Sequence, residues 1–210
     1  MKKNILKYFI CWIIIIISFL YSYFLLNKFN NSVISAYKII FFIFLVILFI
    51  GILISKLIFK FKKDKKLQIL NLSNFSKKDL YKCISNSLII LLIYFSLVYI
   101  IIYFFSNNIF SKLNYSTGII NSCSYISKIF LLSLPIFAFE ITFLEYCNFI
   151  KTIRIPLTLI LLKFLFWCLI SYILTNIIGI NGFLYSKLTI DIFFFPYYII
   201  KIREIVKLIK

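Results

Sequence analysis

Residues 163–191 read KFLFWCLISYILTNIIGINGFLYSKLTID. Two apolar runs meet at Gly179-Ile180-Asn181-Gly182, which holds two of the chain's four glycines. Lys163 opens the first run, and Lys187 and Asp191 interrupt the second. A charge in the middle of a membrane helix costs about 2.5–3.5 kcal/mol on insertion scales, so each of these residues needs a partner or a task. The hairpin therefore predicts a helical membrane fold, and the rest of the chain has to supply the partners.

Composition agrees with that reading. The 210 residues are 63% hydrophobic and 20% aromatic, with a mean hydropathy of +1.05. Soluble domains use apolar residues for roughly half their length. The net charge of +18 comes from lysines gathered between long apolar runs. They form no basic stripe on a foldable domain, so they read as topology signals, and nucleic acid is not an expected partner.

Working outward from the hairpin, six transmembrane helices are expected, at about 8–26, 33–59, 84–105, 124–147, 157–178 and 183–200. Each is long enough to cross about 30 Å of hydrocarbon, with tilt where needed. The first follows Lys2, Lys3 and Lys7, a start shared with signal peptides, but it is long for such a segment and lacks a small-x-small cleavage site. Pro135 is expected to kink the fourth span, and Pro156 suits the start of the fifth. Ser76-Lys77-Lys78-Asp79 has the form of a capping box before the third.

The N-terminus, the basic loop 60–82, the link at Lys151–Arg154 and the C-terminal tail hold most of the 24 basic residues. The alternate links hold only Lys28 and Lys112. The positive-inside rule then places both termini in the cytoplasm, which requires an even number of spans. The expected location is the cell membrane, as a single multi-pass domain in contact with the lipid bilayer.

This topology sets the depth of the buried charges. Glu140 and Lys163 fall roughly 12–13 Å from the cytoplasmic ends of the fourth and fifth spans at 1.5 Å per residue. They form an interhelical pair or line a shared polar cavity in one reading; in the other, Lys163 snorkels to the interface and Glu140 is neutral. Asp191 lies near mid-membrane, one turn after Lys187. That pair either neutralises itself or marks a proton or sodium site. Glu145, near the cytoplasmic interface beside Lys151, needs no special function.

Other chemistries find little support. The five cysteines are dispersed with no CxxC pair, and the chain has no histidine, so neither a disulfide framework nor a zinc site is expected. No Walker motif, GxGxxG or GxSxG is present. The chain does not read as an enzyme, and no cofactor is expected.

The order and spacing of several short motifs resemble the multidrug and toxic compound extrusion (MATE) family, within the superfamily that includes polysaccharide and lipid-linked flippases. Lys163, the turn Gly179-Ile180-Asn181-Gly182-Phe183, and Asp191 nine residues after Gly182 look like the basic residue, Gly-apolar-x-Gly turn and Asp of that family's penultimate and last helices. NKFNNSVISAYKI (27–39) is similar to the loop into the second helix of a family repeat. Asn108-Ile109-Phe110, with SYISKIFLLSLPIF (124–137), is similar to the passage between its third and fourth helices. The chain departs from the pattern at Leu188, where a Pro often stands, at Lys163, where Arg is usual, and in the fifth span, which lacks the usual central Pro.

The resemblance is to the C-terminal six helices only. It implies one lobe of an antiporter that exchanges H+ or Na+ for an organic solute, with Glu140 and Asp191 as cation-binding or coupling residues and Lys163 and Lys187 as their charge partners. Alternating access needs a second wall, so the resemblance implies a second six-helix lobe or a homodimer, unless the chain is a truncated or split transporter. A lipid-linked oligosaccharide flippase, a non-transporting membrane subunit and an unrelated six-helix protein are the alternatives.

Overall fold

The computed structural model describes the backbone at 2–67, 77–149 and 154–209 and the side chains at 13–60, 81–147 and 157–204. The described residues fold into helices α1 (Lys2–Leu26), α2 (Asn31–Leu67), α3 (Lys77–Ser111), α4 (Thr117–Phe130), α5 (Leu134–Phe149), α6 (Arg154–Ile178) and α7 (Ile180–Ile209), with a 3-10 turn at Leu131–Ser133. No strand occurs among them. In hydrocarbon the backbone must satisfy its own N–H and C=O groups, and runs of Ile, Leu and Phe do so as helices. Among the described residues, five stretches are long and apolar enough to cross a membrane: Asn31–Lys60, Tyr81–Ser111, Thr117–Cys147, Leu157–Ile178 and Ile180–Glu204. Ile13–Leu26 of α1 is a shorter apolar stretch. The architecture is that of an all-helical, multi-pass membrane protein.

The expected fourth span, 124–147, is a broken helix. Pro135 has no N–H to give the carbonyl of Leu131, which a regular α-helix would require. The backbone tightens instead, and Leu134 N–H donates to that carbonyl in an i→i+3 bond. This 3-10 turn separates α4 from α5. Most of the span is buried, whereas α3 and α6 expose most of theirs. Ile89, Ile93, Leu97, Ile100 and Phe104 form one exposed apolar stripe on α3, at a spacing that keeps them on one helical face. So large an apolar surface turned outward suits lipid and not water.

The interior is apolar, with serine pairs between helices. Ile40, Phe44, Leu91, Phe95, Phe130, Leu131, Leu134 and Phe183 build the larger core. Ser55 and Ser87 (2.9 Å), Ser106 and Ser124 (2.7 Å), and Tyr37 and Ser22 (2.9 Å) hydrogen-bond across α2–α3, α3–α4 and α1–α2. Small hydroxyls let membrane helices approach closely while satisfying one another. Phe59, Cys83, Phe143, Leu159, Phe194 and Tyr198 form a second core near the opposite end of the bundle.

The links expected on one side of the membrane gather at one end of the structure. Lys28 donates to Asn176 (3.3 Å) and Tyr125 to Asn181 (2.5 Å), and Phe29 approaches Gly179. The capping-box residue Ser76, with 68–75 of the basic loop, and Lys151 lie outside the described residues, as do the side chains at 61–80. α3 begins directly after Ser76, and Pro156 falls in the first turn of α6, where a backbone N–H has no partner to lose.

A single residue joins α6 to α7. Gly179 adopts φ 65°, the left-handed conformation that ends a helix at little cost only for glycine. Its carbonyl accepts from the N–H groups of Gly182 (3.0 Å) and Phe183 (3.3 Å) and opens α7. At Gly182 a Cβ would lie 2.0 Å from the Leu174 carbonyl oxygen, so α7 rests directly on the backbone of α6. Gly182→Ala is expected to destabilise the fold by about 1–3 kcal/mol or more, as overpacking against backbone does. Gly118→Ala, at a position with no atom within 4 Å of the new methyl, serves as the control. Equal thermal unfolding midpoints for the two variants in detergent would refute the close contact.

Candidate functional site

The α6–α7 hairpin carries Lys163 on one arm and Lys187 and Asp191 on the other. Lys163 lies sixteen residues before Gly179 and Asp191 twelve after it, an offset of about one turn that the four-carbon lysine stem can span. Lys163 Nζ stands 2.8 Å from Asp191 Oδ1 and 2.5 Å from Oε2 of Glu140 on α5. Lys187 Nζ stands 3.0 Å from Asp191 Oδ2 and donates to Ser133 Oγ in the 3-10 turn. The result is one alternating row, Glu140, Lys163, Asp191, Lys187, closed by Ser133. All four charged side chains are largely buried, Asp191 to within 2%.

The Glu140–Lys163 interhelical contact and the Lys187–Asp191 i,i+4 contact are both present. Sequence reasoning treated them as separate pairs at different depths; Lys163 joins them by reaching two carboxylates on two helices. Each charge thereby gains a partner at hydrogen-bond distance, which a buried ion requires. Glu140 meets one ammonium and Asp191 meets two.

Aromatic rings complete the environment. Lys187 Nζ lies 4.7, 4.9 and 4.7 Å from the ring centroids of Phe44, Phe130 and Phe137. Lys163 Nζ lies 4.8 Å from Phe137 and 6.0 Å from Tyr198. The negative faces of these rings favour a nearby ammonium, most strongly where water is excluded. Phe137, one turn before Glu140 on α5, serves both lysines.

The row forms one wall of a cavity of about 230 Å³. Ser18 of α1 and Phe41 of α2 contribute to its lining, as do Phe137 of α5, Phe164 and Trp167 of α6, and all four charged residues. α1 closes one side and is held by Tyr21, whose hydroxyl donates to the Cys168 carbonyl (2.6 Å) and whose ring meets Trp167 edge-on at 5.6 Å. The indole N–H of Trp167 is buried without an acceptor.

Ser133, Phe137, Trp167 and the cage around Lys187 were not singled out from the sequence. Ser133, two residues before Pro135, carried a weak signal, since a proline break frees nearby polar groups. The aromatic residues carried none in a chain with 26 phenylalanines. Glu145 is buried. Among the described residues, no three His, Cys, Asp or Glu side chains gather as a metal ion would need. No protein-family model, curated protein or solved structure matches the chain.

The shared role of Lys163 has a measurable consequence. Lys163→Met leaves two buried carboxylates with Lys187 alone, and removing one member of a buried ion pair costs about 3–5 kcal/mol. Glu140→Gln leaves Lys163 on Asp191 and keeps a hydrogen-bonding side chain, so it is expected to cost less. Exchanging the two, Glu140→Lys with Lys163→Glu, sets a carboxylate against Asp191 and is not expected to restore stability. Thermal unfolding in detergent measures all three, and equal losses for the two single variants would show that Lys163 is not shared.

Proposed function

We propose that the chain is a membrane transporter lobe of six spans, similar to one half of a MATE-type exporter, which exchanges H+ or Na+ for an organic solute. The observation that carries this reading is the charged row on the wall of a cavity between α1, α2, α5, α6 and α7. A structural ion-pair row needs no cavity beside it, whereas intramembrane carboxylates facing a cavity suit an ion pathway. In the sixth-span count, α1 crosses the membrane from a cytoplasmic N-terminus, and a second lobe or second copy of the chain supplies the opposite wall.

Glu140 is the coupling carboxylate in this mechanism. It stands at the end of the row with one ammonium partner, so a proton or sodium ion arriving there competes with a single cation. Occupation of Glu140 releases Lys163 from α5 while Asp191 keeps its hold on Lys163 through α7. The charged tie between α5 and the hairpin is then gone, and the cavity wall has a different preferred shape in the two charge states. Ion binding thereby biases one conformation over the other, as coupling requires.

Proteoliposomes containing the purified chain test the proposal. An organic solute from a panel of small cations, anions and zwitterions is expected to drive H+ or Na+ movement, and Glu140→Gln to lower the coupled rate by about tenfold or more, equivalent to about 1.4 kcal/mol. Full coupling in that variant would remove Glu140 from the mechanism. Absence of coupled flux across a solute panel would leave a non-transporting membrane subunit.

A further inference from the structure

The cavity wall is electrically closed. Glu140 and Asp191 face Lys163 and Lys187, and the four formal charges cancel. A ligand with a net charge would leave one charge uncompensated in a medium of low dielectric, which is expensive. A ligand carrying both signs adds none.

The row can open at one place without breaking elsewhere. Glu140 meets Lys163 through Oε2, while Lys163 also holds Asp191. Inserted between Glu140 and Lys163, an ammonium and a carboxylate replace one ion pair by two. Trp167 lies one turn beyond Lys163 on α6, hence on the same face. Trp167 lines the same cavity and adds to its aromatic surface. Lys163, which lines the cavity, supplies the cation for one anionic group.

Most of the remaining lining is apolar and aromatic, including Phe41, Phe44, Phe137 and Phe164. The volume of about 230 Å³ lies below the roughly 300–1,000 Å³ of sites for drug-sized ligands. We propose that this cavity binds a small amphipathic zwitterion with an apolar or aromatic tail, its ammonium on Glu140 and its carboxylate on Lys163. The assignment rests on reading the cavity as the solute site of the proposed transporter and specifies the class of solute.

Equilibrium binding to the full chain in detergent tests it without any requirement for flux. L-Phenylalanine, phenethylamine and 3-phenylpropionate share a ring and differ in charge as zwitterion, cation and anion. The zwitterion, or its counterparts L-leucine and L-tryptophan, is expected to bind at least about tenfold more tightly than either singly charged compound. Glu140→Gln leaves the row net positive and is expected to put 3-phenylpropionate first; Lys163→Gln leaves it net negative and is expected to put phenethylamine first.

Preference of the monodisperse wild-type protein for a singly charged compound, or no binding of any of the three amino acids, would overturn the assignment. Zwitterion binding with no flux in proteoliposomes would overturn the transport reading and keep this one. Coupled flux of another solute with no zwitterion binding would do the reverse.

Discussion

Burying four formal charges among apolar helices is the constraint on which the rest of the structure depends. No single helix satisfies it. Glu140 comes from α5, Lys163 from α6, Lys187 and Asp191 from α7, and Ser133 from the 3-10 turn. These elements have to arrive together, because an arrangement that satisfies three of the charges strands the fourth at a cost comparable to the net stability of many domains. The row also specifies register. A shift of α6 by one residue, about 1.5 Å along its axis, would carry Lys163 out of hydrogen-bond range of at least one carboxylate.

Local sequence features prepare each arm for that meeting. Gly179 reverses the chain within one residue, and Gly182 lets the second arm settle on the first. Pro135 forces the tightened turn that brings Ser133 to Lys187. Aromatic faces around Lys187 replace part of the hydration that its ammonium loses. Elsewhere the bundle is held by serine pairs and by packing, as expected where lipid offers apolar side chains no incentive to associate.

Much of this was legible in the sequence, and the limits have physical causes. Long apolar runs between lysine clusters announce helices and links, because hydrocarbon leaves the backbone few choices. The glycine turn announces the hairpin, and similar depth suggests that Glu140 can reach Lys163. Depth alone does not say which faces of three helices converge, so the Lys163–Asp191 contact that unites the row was out of reach. The expected first span, 8–26, falls within α1, of which Ile13–Leu26 is described with side chains. The break at Leu131–Ser133 was legible as a kink at Pro135, but the neighbouring hydroxyl that the break puts to use was not. Trp167 and Phe137 were hidden by abundance: where a fifth of the residues are aromatic, no single ring stands out.

The contact at Gly182 has a mechanical side. Side chains between two helices act as a compliant layer, since rotamers can change to absorb a displacement. Here a backbone carbonyl occupies the space a methyl group would need, and no compliant layer exists. α6 and α7 therefore behave near their junction as one lever, with Lys163 and Asp191 mounted on opposite arms. Any change in the shape of the cavity is left to the elements around that lever: α1, held across it by Tyr21, and the span broken before Pro135.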